Sequence, residues 1–207
     1  MMNHFIEYIQ SSMFLRSNPN YVTVFGSAKK VFEQGHPFGD LAYVVGETLA
    51  KSNYTVMTGG GPGIMSKANE GAFHVDPSLS IGCKLNVVSE PPNPFMSKSV
   101  ATSCLAIRKK VLFQNAQAFV VLPGGYGTLD ELFEVLTLIK VGLMSETKKV
   151  FLVDSNFWRP LIEFINTRLK DNGIIVDNET NLIQIVESAD ALVDSLAKRT
   201  VSEGVYI

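Results

Sequence analysis

Two glycine-rich runs, one arginine–lysine pair and one glutamate carry most of the chemistry available to this sequence. Gly59-Gly60-Gly61-Pro62-Gly63 and Gly124-Gly125-Tyr126-Gly127-Thr128 each follow a short apolar segment and precede a helical pattern. Strand, glycine loop and helix together can hold phosphate. Glycine permits φ > 0 and close backbone approach, and free N–H groups at a helix start attract anions. Neither loop completes a cofactor fingerprint. Ser66 stands where G-x-G-x-x-G would need its third glycine after Gly61 and Gly63, and both loops lack the P-loop lysine. A single phosphate therefore fits better than a dinucleotide or a triphosphate. Either cluster alone also reads as a tight strand-to-helix turn; two at one sheet edge favour a ligand.

Thr128 and Glu131 are spaced as a capping box, with threonine as N-cap and glutamate reaching back from the third helical position. The competing reading makes Glu131 a catalytic carboxylate, because a glycine-lined strand end is where such a group works. Arg108 and Lys109 lie among Leu105, Val111 and Leu112. Their bland reading is a solvated positive patch with apolar stems laid on the surface. In the functional reading, Arg108 is a fixed guanidinium that grips phosphate or polarises a departing base. Spacing leaves both pairs of readings open.

The elements that must position these residues alternate in type. Helical spacing is expected over Phe5 to Leu15, outside the main sheet, and again from Phe38 to Leu49. Further helices are expected at Ile64 to Phe73, Ser99 to Asn115, Leu129 to Gly142, Trp158 to Leu169 and Ala189 to Leu196. Strands are expected at Tyr21 to Phe25, Tyr54 to Met57, Leu79 to Leu85, Ala118 to Leu122, Val150 to Val153 and Leu182 to Val186. Ser89 to Pro94, with three prolines, reads as a stiff loop. This order calls for an α/β chain with a doubly wound, mainly parallel sheet covered on both faces. Ligands of such sheets bind at the carboxyl ends of the strands, where both glycine loops fall.

Bulk properties narrow the partners. The 207 residues read as a single nucleotide-binding domain (1–207) with an N-terminal helical extension over 1–18. A net charge of -2 supplies no broad basic field for a nucleic-acid backbone. The longest uncharged stretch, Val111 to Leu129, is broken by polar residues, Pro123 and three glycines, so no membrane span is expected. Asn3, His4, Glu7 and Gln10 interrupt any signal-peptide core, which points to a cytoplasmic protein. Cys83 and Cys104 read as reduced, packed thiols, and the scattered His4, His36 and His74 give no metal-ligand spacing. No metal and no cofactor is expected.

Pro123-Gly124-Gly125-Tyr126-Gly127-Thr128-Leu129-Asp130-Glu131 resembles the P-G-G-x-G-T-x-x-E signature of the Lonely Guy family, phosphoribohydrolases that activate cytokinins and once carried a lysine decarboxylase label. Arg108-Lys109 is similar to the family's R-K pair. Gly59 to Met65 and Val24 to Ala28 supply two more blocks, in the same order. The resemblance implies a Rossmann-like three-layer sandwich, a homodimer, and cleavage of a nucleoside 5′-monophosphate (AMP or an N6-substituted AMP) into base and ribose 5-phosphate. It places the catalytic pair on Arg108 and Glu131. It places substrate contacts on Lys109, on Gly125, Tyr126, Gly127 and Thr128, on Thr137 and on Glu90; Gly124, Ser27, Gly60 and Gly61, in the turns at the strand ends, are further expected contacts. Two departures lie near the expected base pocket. Lys84 stands where many bacterial relatives have asparagine, and Pro91-Pro92 replaces a more polar pair.

These residues suit a metal-free glycosidic cleavage. Glu131 would stabilise an oxocarbenium-like sugar or activate water, while loop N–H groups and Thr128 hold the phosphate. Two other classes compete. A non-catalytic nucleotide-binding or carrier module would share the fold. An amino-acid decarboxylase would need pyridoxal phosphate on a Schiff-base lysine.

Overall fold

Apolar side chains alternate along the central strands, and that alternation sets up two cores. In the computed structural model, which describes residues 2–86, 93–176, 179 and 181–202, β1 (Tyr21–Phe25) is buried along its whole length. Tyr21 and Phe25 face one core, Val22 and Val24 the other. This is the period-two reading of a strand covered on both sides.

Seven strands, all parallel, form one sheet: β2 (Val56–Thr58), β3 (Ser80–Leu85), β4 (Lys98–Thr102), β5 (Ala116–Val121), β6 (Lys149–Val153) and β7 (Ile183–Val186) join β1 in the order β4-β3-β2-β1-β5-β6-β7. One core packs α4 (Leu105–Gln114), α5 (Tyr126–Lys140) and α6 (Ser155–Phe164) on the sheet, together with the end of α1 (Met2–Ser17). The other packs α2 (Pro37–Lys51), α3 (Ile64–Val75) and α7 (Ala189–Ser202). The three-layer, doubly wound expectation holds, and the sheet is parallel throughout. Among the described residues no helix is long and apolar enough to cross a membrane.

One expected element is corrected. Ser99 to Thr102 belongs not to a helix but to β4, the edge strand beside β3. Its Lys-Ser-Val-Ala-Thr sequence is polar because an edge strand buries little. The helix starts only at Leu105. α6 runs through Pro160 into a π-helical stretch, Ile165–Lys170. The expected stiff loop lies mostly outside the described residues.

α4 is fastened to the sheet by side chains of β1. The buried Tyr21 hydroxyl donates to the Val111 carbonyl and accepts from the Asn115 N–H, at 3.3 Å. The Thr23 hydroxyl donates to the Leu112 carbonyl at 2.6 Å. Burial holds the Tyr21 phenol well above its ordinary pKa, so it stays a neutral donor. Tyr21→Phe leaves a buried carbonyl without its donor and should cost about 1–3 kcal/mol. A urea titration should show a lower midpoint at unchanged slope.

Candidate active site

Chain direction across the sheet reverses between β1 and β5, and the crevice at such a switch point is where ligands of open α/β sheets bind. The two strands end side by side. The Ser27 N–H after β1 donates to the Pro123 carbonyl after β5, at 3.2 Å. Above them opens a cleft of about 630 Å³, walled by the turns after β1, β2 and β5, by the end of β3, and by α4.

On the cleft wall, Arg108 of α4 meets Glu131 of α5, with Nη1 at 3.4 Å from Oε1. Nε donates to the Cys83 carbonyl of β3 at 3.2 Å, and Nη2 to the Gly59 carbonyl at 3.3 Å. Three of the five guanidinium N–H donors are thus spent on protein acceptors, leaving two for a ligand. Glycine at 59 leaves room for this seat, since a Cβ there would stand 1.9 Å from Arg108 Nη2 and displace the guanidinium. Glu131 is only 8% exposed. Burial pushes its carboxyl up to about 7, with Asp130 adding to the rise while Arg108 and Lys109 pull against it. A carboxyl poised near neutrality in a cleft is suited to proton transfer.

The capping-box reading of Glu131 is overturned. α5 begins at Tyr126 with Gly125 as N-cap, and no side chain caps it. Thr128 therefore lies inside the first turn and Glu131 a turn further on, too far to bond the helix's leading N–H groups. Glu131 pairs with Arg108 instead.

The two glycine loops are in different states. In the first, three N–H groups are already taken: Glu33 accepts from the Gly63 N–H at 2.7 Å, the Ile64 N–H donates to Ser27, and the Gly60 N–H donates to Thr58 Oγ1. Glu33 thus places a carboxylate at the α3 terminus, while Gly60 and Gly61 line the cleft. In the second, the first-turn N–H groups of Tyr126, Gly127 and Thr128 meet no acceptor among the described residues. The helix dipole there is open to an anion.

Most of the other expected contacts reach the cleft. Ser27, Gly125, Tyr126, Gly127 and Thr128 line it. Gly124 lies behind it, pressed against Thr128, whose Oγ1 would be 2.1 Å from an added Cβ. Lys109 borders the cleft with its ammonium held by Asp130 at 2.9 Å and by Glu134. Burial alone would lower it, yet the bonds to Glu134 and Asp130 carry its pKa above the ordinary value. Thr137 is exposed and donates its hydroxyl to the Phe133 carbonyl, along a shallow groove on α5 instead of in the cleft. Glu90 lies outside the described residues. Sequence reasoning missed Gly59 as the seat of Arg108, and missed Met65, Leu85 and Leu105 as apolar lining. Only the run of three glycines hinted at a backbone approached by another group.

Fold and cleft together define a switch-point α/β protein with an open helix start and a buried arginine–glutamate pair. Residues 65–196 match the family model described as "Possible lysine decarboxylase", and the chain belongs to that family, which includes the Lonely Guy proteins. It is 28% identical over 194 residues to the Oryza sativa protein "Probable cytokinin riboside 5'-monophosphate phosphoribohydrolase LOGL2", covering 89% of this chain and 75% of that one. To the Rhodococcoides fascians "Cytokinin riboside 5'-monophosphate phosphoribohydrolase" it is 30% identical over 153 residues, 72% of this chain and 76% of that one. Among solved structures, the molybdenum cofactor carrier protein of Chlamydomonas reinhardtii superposes with a TM-score of 0.64 at 16% identity, covering 88% of this chain and 99% of that one. At that identity the likeness is one of fold.

Because Arg108 lowers the Glu131 pKa, displacing the guanidinium has a readable consequence. Gly59→Ala should move the Glu131 midpoint upward from about 7 while the protein stays folded. Carboxyl NMR on the labelled protein would follow the titration. An unmoved midpoint would show that the Gly59 seat does not fix Arg108.

Proposed function

We propose that this protein hydrolyses the N-glycosidic bond of a nucleoside 5′-monophosphate, releasing free base and ribose 5-phosphate. The observation that carries the reading is the pairing of a buried, near-neutral Glu131 with Arg108 beside the open N-terminal turn of α5. Family membership and the relatives' names support it. Those names specify a cytokinin riboside 5′-monophosphate. Arg108, Glu131 and the start of α5 address its ribose 5-phosphate half.

The 5′-phosphate sits on the free N–H groups of Tyr126, Gly127 and Thr128, and this remote binding positions C1′ beside Glu131. The C1′–N bond breaks with its electron pair leaving on the base, which takes up a proton. The Glu131 carboxylate stabilises the positive sugar and accepts the proton of the water that adds to C1′. Arg108 holds the carboxylate and offers its two unspent N–H donors to phosphate or base. The decarboxylase label of the family model fits these residues poorly. A Schiff-base lysine needs a neutral amine, whereas Lys109, beside the second glycine loop, is kept charged by two carboxylates, and Lys84 lies against the first loop, away from the open start of α5.

A carrier role is the second reading, favoured by the fold likeness to the molybdenum cofactor carrier. Chromatographic release of free base separates the two. AMP should be split, adenosine should be a far poorer substrate, and a chelator should leave the rate unchanged. Equal rates on nucleoside and monophosphate would remove the phosphate anchor from the mechanism. No release from any monophosphate would leave the carrier reading.

The pH profile follows from Glu131. With its carboxyl raised to about 7, the ionised form dominates only above that pH, so kcat/KM should climb through pH 7 and level off. Glu131→Gln should bind nucleotide, lose about 10²–10⁴-fold in turnover, and lose that limb of the profile.

Assembly is proposed from the outer side of α5. Leu132, Val135 and Ile139 are buried on the sheet, while Tyr126 (94% exposed), Phe133, Val141 and Leu143 face outward. A two-fold partner covering this side gives a homodimer with α5 at the interface. Light scattering at micromolar concentration should report a dimer; a monomer would overturn the proposal.

A further inference from the structure

Lys84 stands apart from the other basic groups deep in the cleft. Arg108 is held by two carbonyls and Glu131, and Lys109 by Asp130 and Glu134. Lys84, half-buried near the end of β3, lines the same cleft and has no hydrogen-bond or ion-pair partner among the described residues. Its stem lies against the first glycine loop, with Cγ 3.1 Å from where a Cβ on Gly60 would stand. An ammonium offers three donors and no acceptor. A half-buried one without a counter-group is completed by whatever enters the cleft.

The sheet order says which part of a nucleotide that is. β3 is three strands from β5, and neighbouring strands are about 4.8 Å apart, so the two strand ends are separated by roughly 14 Å. The open N–H groups of α5 stand at the β5 end and Lys84 at the β3 end. Arg108 reaches the loop after β2 between them. A mononucleotide with its phosphate on α5 and C1′ beside Glu131 therefore turns its base toward Lys84. Met65, Leu85 and Leu105 supply apolar surface for the ring.

Resting on the phosphoribohydrolase reading above, we infer that Lys84 is a specificity-determining residue that selects a base with a hydrogen-bond acceptor on its outer edge, such as the keto oxygen of a 6-oxopurine, and rejects one carrying an apolar substituent on the exocyclic amine. A keto oxygen accepts a charge-assisted hydrogen bond from the ammonium. An exocyclic amine sets donor against donor, and an isoprenoid tail desolvates the ammonium with nothing in return. The substrate class is thus displaced from the cytokinin nucleotides named for the relatives.

The test compares inosine 5′-monophosphate, AMP and N6-isopentenyl-AMP as substrates of the wild-type protein, Lys84→Met and Lys84→Arg. The wild type should favour the inosine nucleotide over the isopentenyl one by about tenfold or more in kcat/KM, a ratio expected when a buried donor is left unpaired. Lys84→Met should lose on the first and gain on the second, and Lys84→Arg, which keeps the donors, should restore the preference. A wild-type preference for the isopentenyl nucleotide, or a ratio that Lys84→Met leaves unchanged, overturns the inference. Ribose 5-phosphate binding, followed by calorimetry, should be the same in wild type and Lys84→Met. If the substitution weakens it, the phosphate and not the base lies at Lys84, and the inference is overturned. Should no monophosphate be cleaved, the hydrolase reading fails separately. Calorimetry with the same three nucleotides then decides the selection: a preference for the inosine nucleotide lost in Lys84→Met upholds it, and equal binding or none overturns it.

Discussion

A carboxylate enclosed in a protein wall must find a partner or surrender its charge, and much of this molecule's cleft is organised around meeting that demand at Glu131. The partner is Arg108, and seating its guanidinium recruits backbone from two further elements. The Cys83 carbonyl at β3 and the Gly59 carbonyl after β2 hold its plane, and Gly59 can come so close only because it has no side chain. α4, which carries Arg108, is tied down at its far end by Tyr21 and Thr23 of the central strand. Stability of the layer and placement of the guanidinium thus rest on the same contacts. The pairing at 3.4 Å does not cancel the cost of burial, which is why the carboxyl is left near neutrality.

Two loops of similar composition meet opposite fates. Both lead from a strand into a helix, and both helix starts carry a positive dipole end. In the first, the chain supplies its own anion, because the 3₁₀ turn after β1 brings the Glu33 carboxylate onto the Gly63 N–H. In that loop the Gly60, Gly63 and Ile64 N–H groups are taken by internal bonds and the Gly59 carbonyl by Arg108. In the second, no acidic side chain folds over the helix start, and the N–H groups face the cleft unfilled among the described residues. Local sequence does not separate these outcomes. Residue 33 is thirty positions from the bond it makes.

Proteins of this fold include an enzyme family and a cofactor carrier, so architecture alone leaves the chemistry open. What distinguishes this chain lies in side chains that converge on one crevice from distant positions. Among them, Arg108 and Lys109 are paired within the protein, whereas the half-buried Lys84 meets no partner among the described residues. On the proposed reading, a site with its phosphate end fixed by backbone and its far end fixed by a single side chain keeps its reaction while its base preference drifts.

The sequence by itself determined the alternation of elements, the parallel sheet, the two glycine loops and the residues Arg108 and Glu131. The elements and loops are written in short-range signals, apolar periodicity and turn-forming glycines, while Arg108 and Glu131 stood out through the family resemblance, in the Arg108-Lys109 pair and the motif from Pro123 to Glu131. β4 escaped because an edge strand buries little and its polar residues carry no strand pattern. The capping box misled for a related reason. Thr128 and Glu131 have the right spacing, but the helix start moved to Tyr126, where the strand exit and the cleft placed it. Tertiary structure alone decided that Glu131 pairs with Arg108 from 23 residues away, that Glu33 takes the Gly63 N–H, that Lys109 is neutralised and that Lys84 meets no partner among the described residues. Charge pairing and burial depend on which groups the sheet order brings within a few ångströms, and that is a property of the fold as a whole.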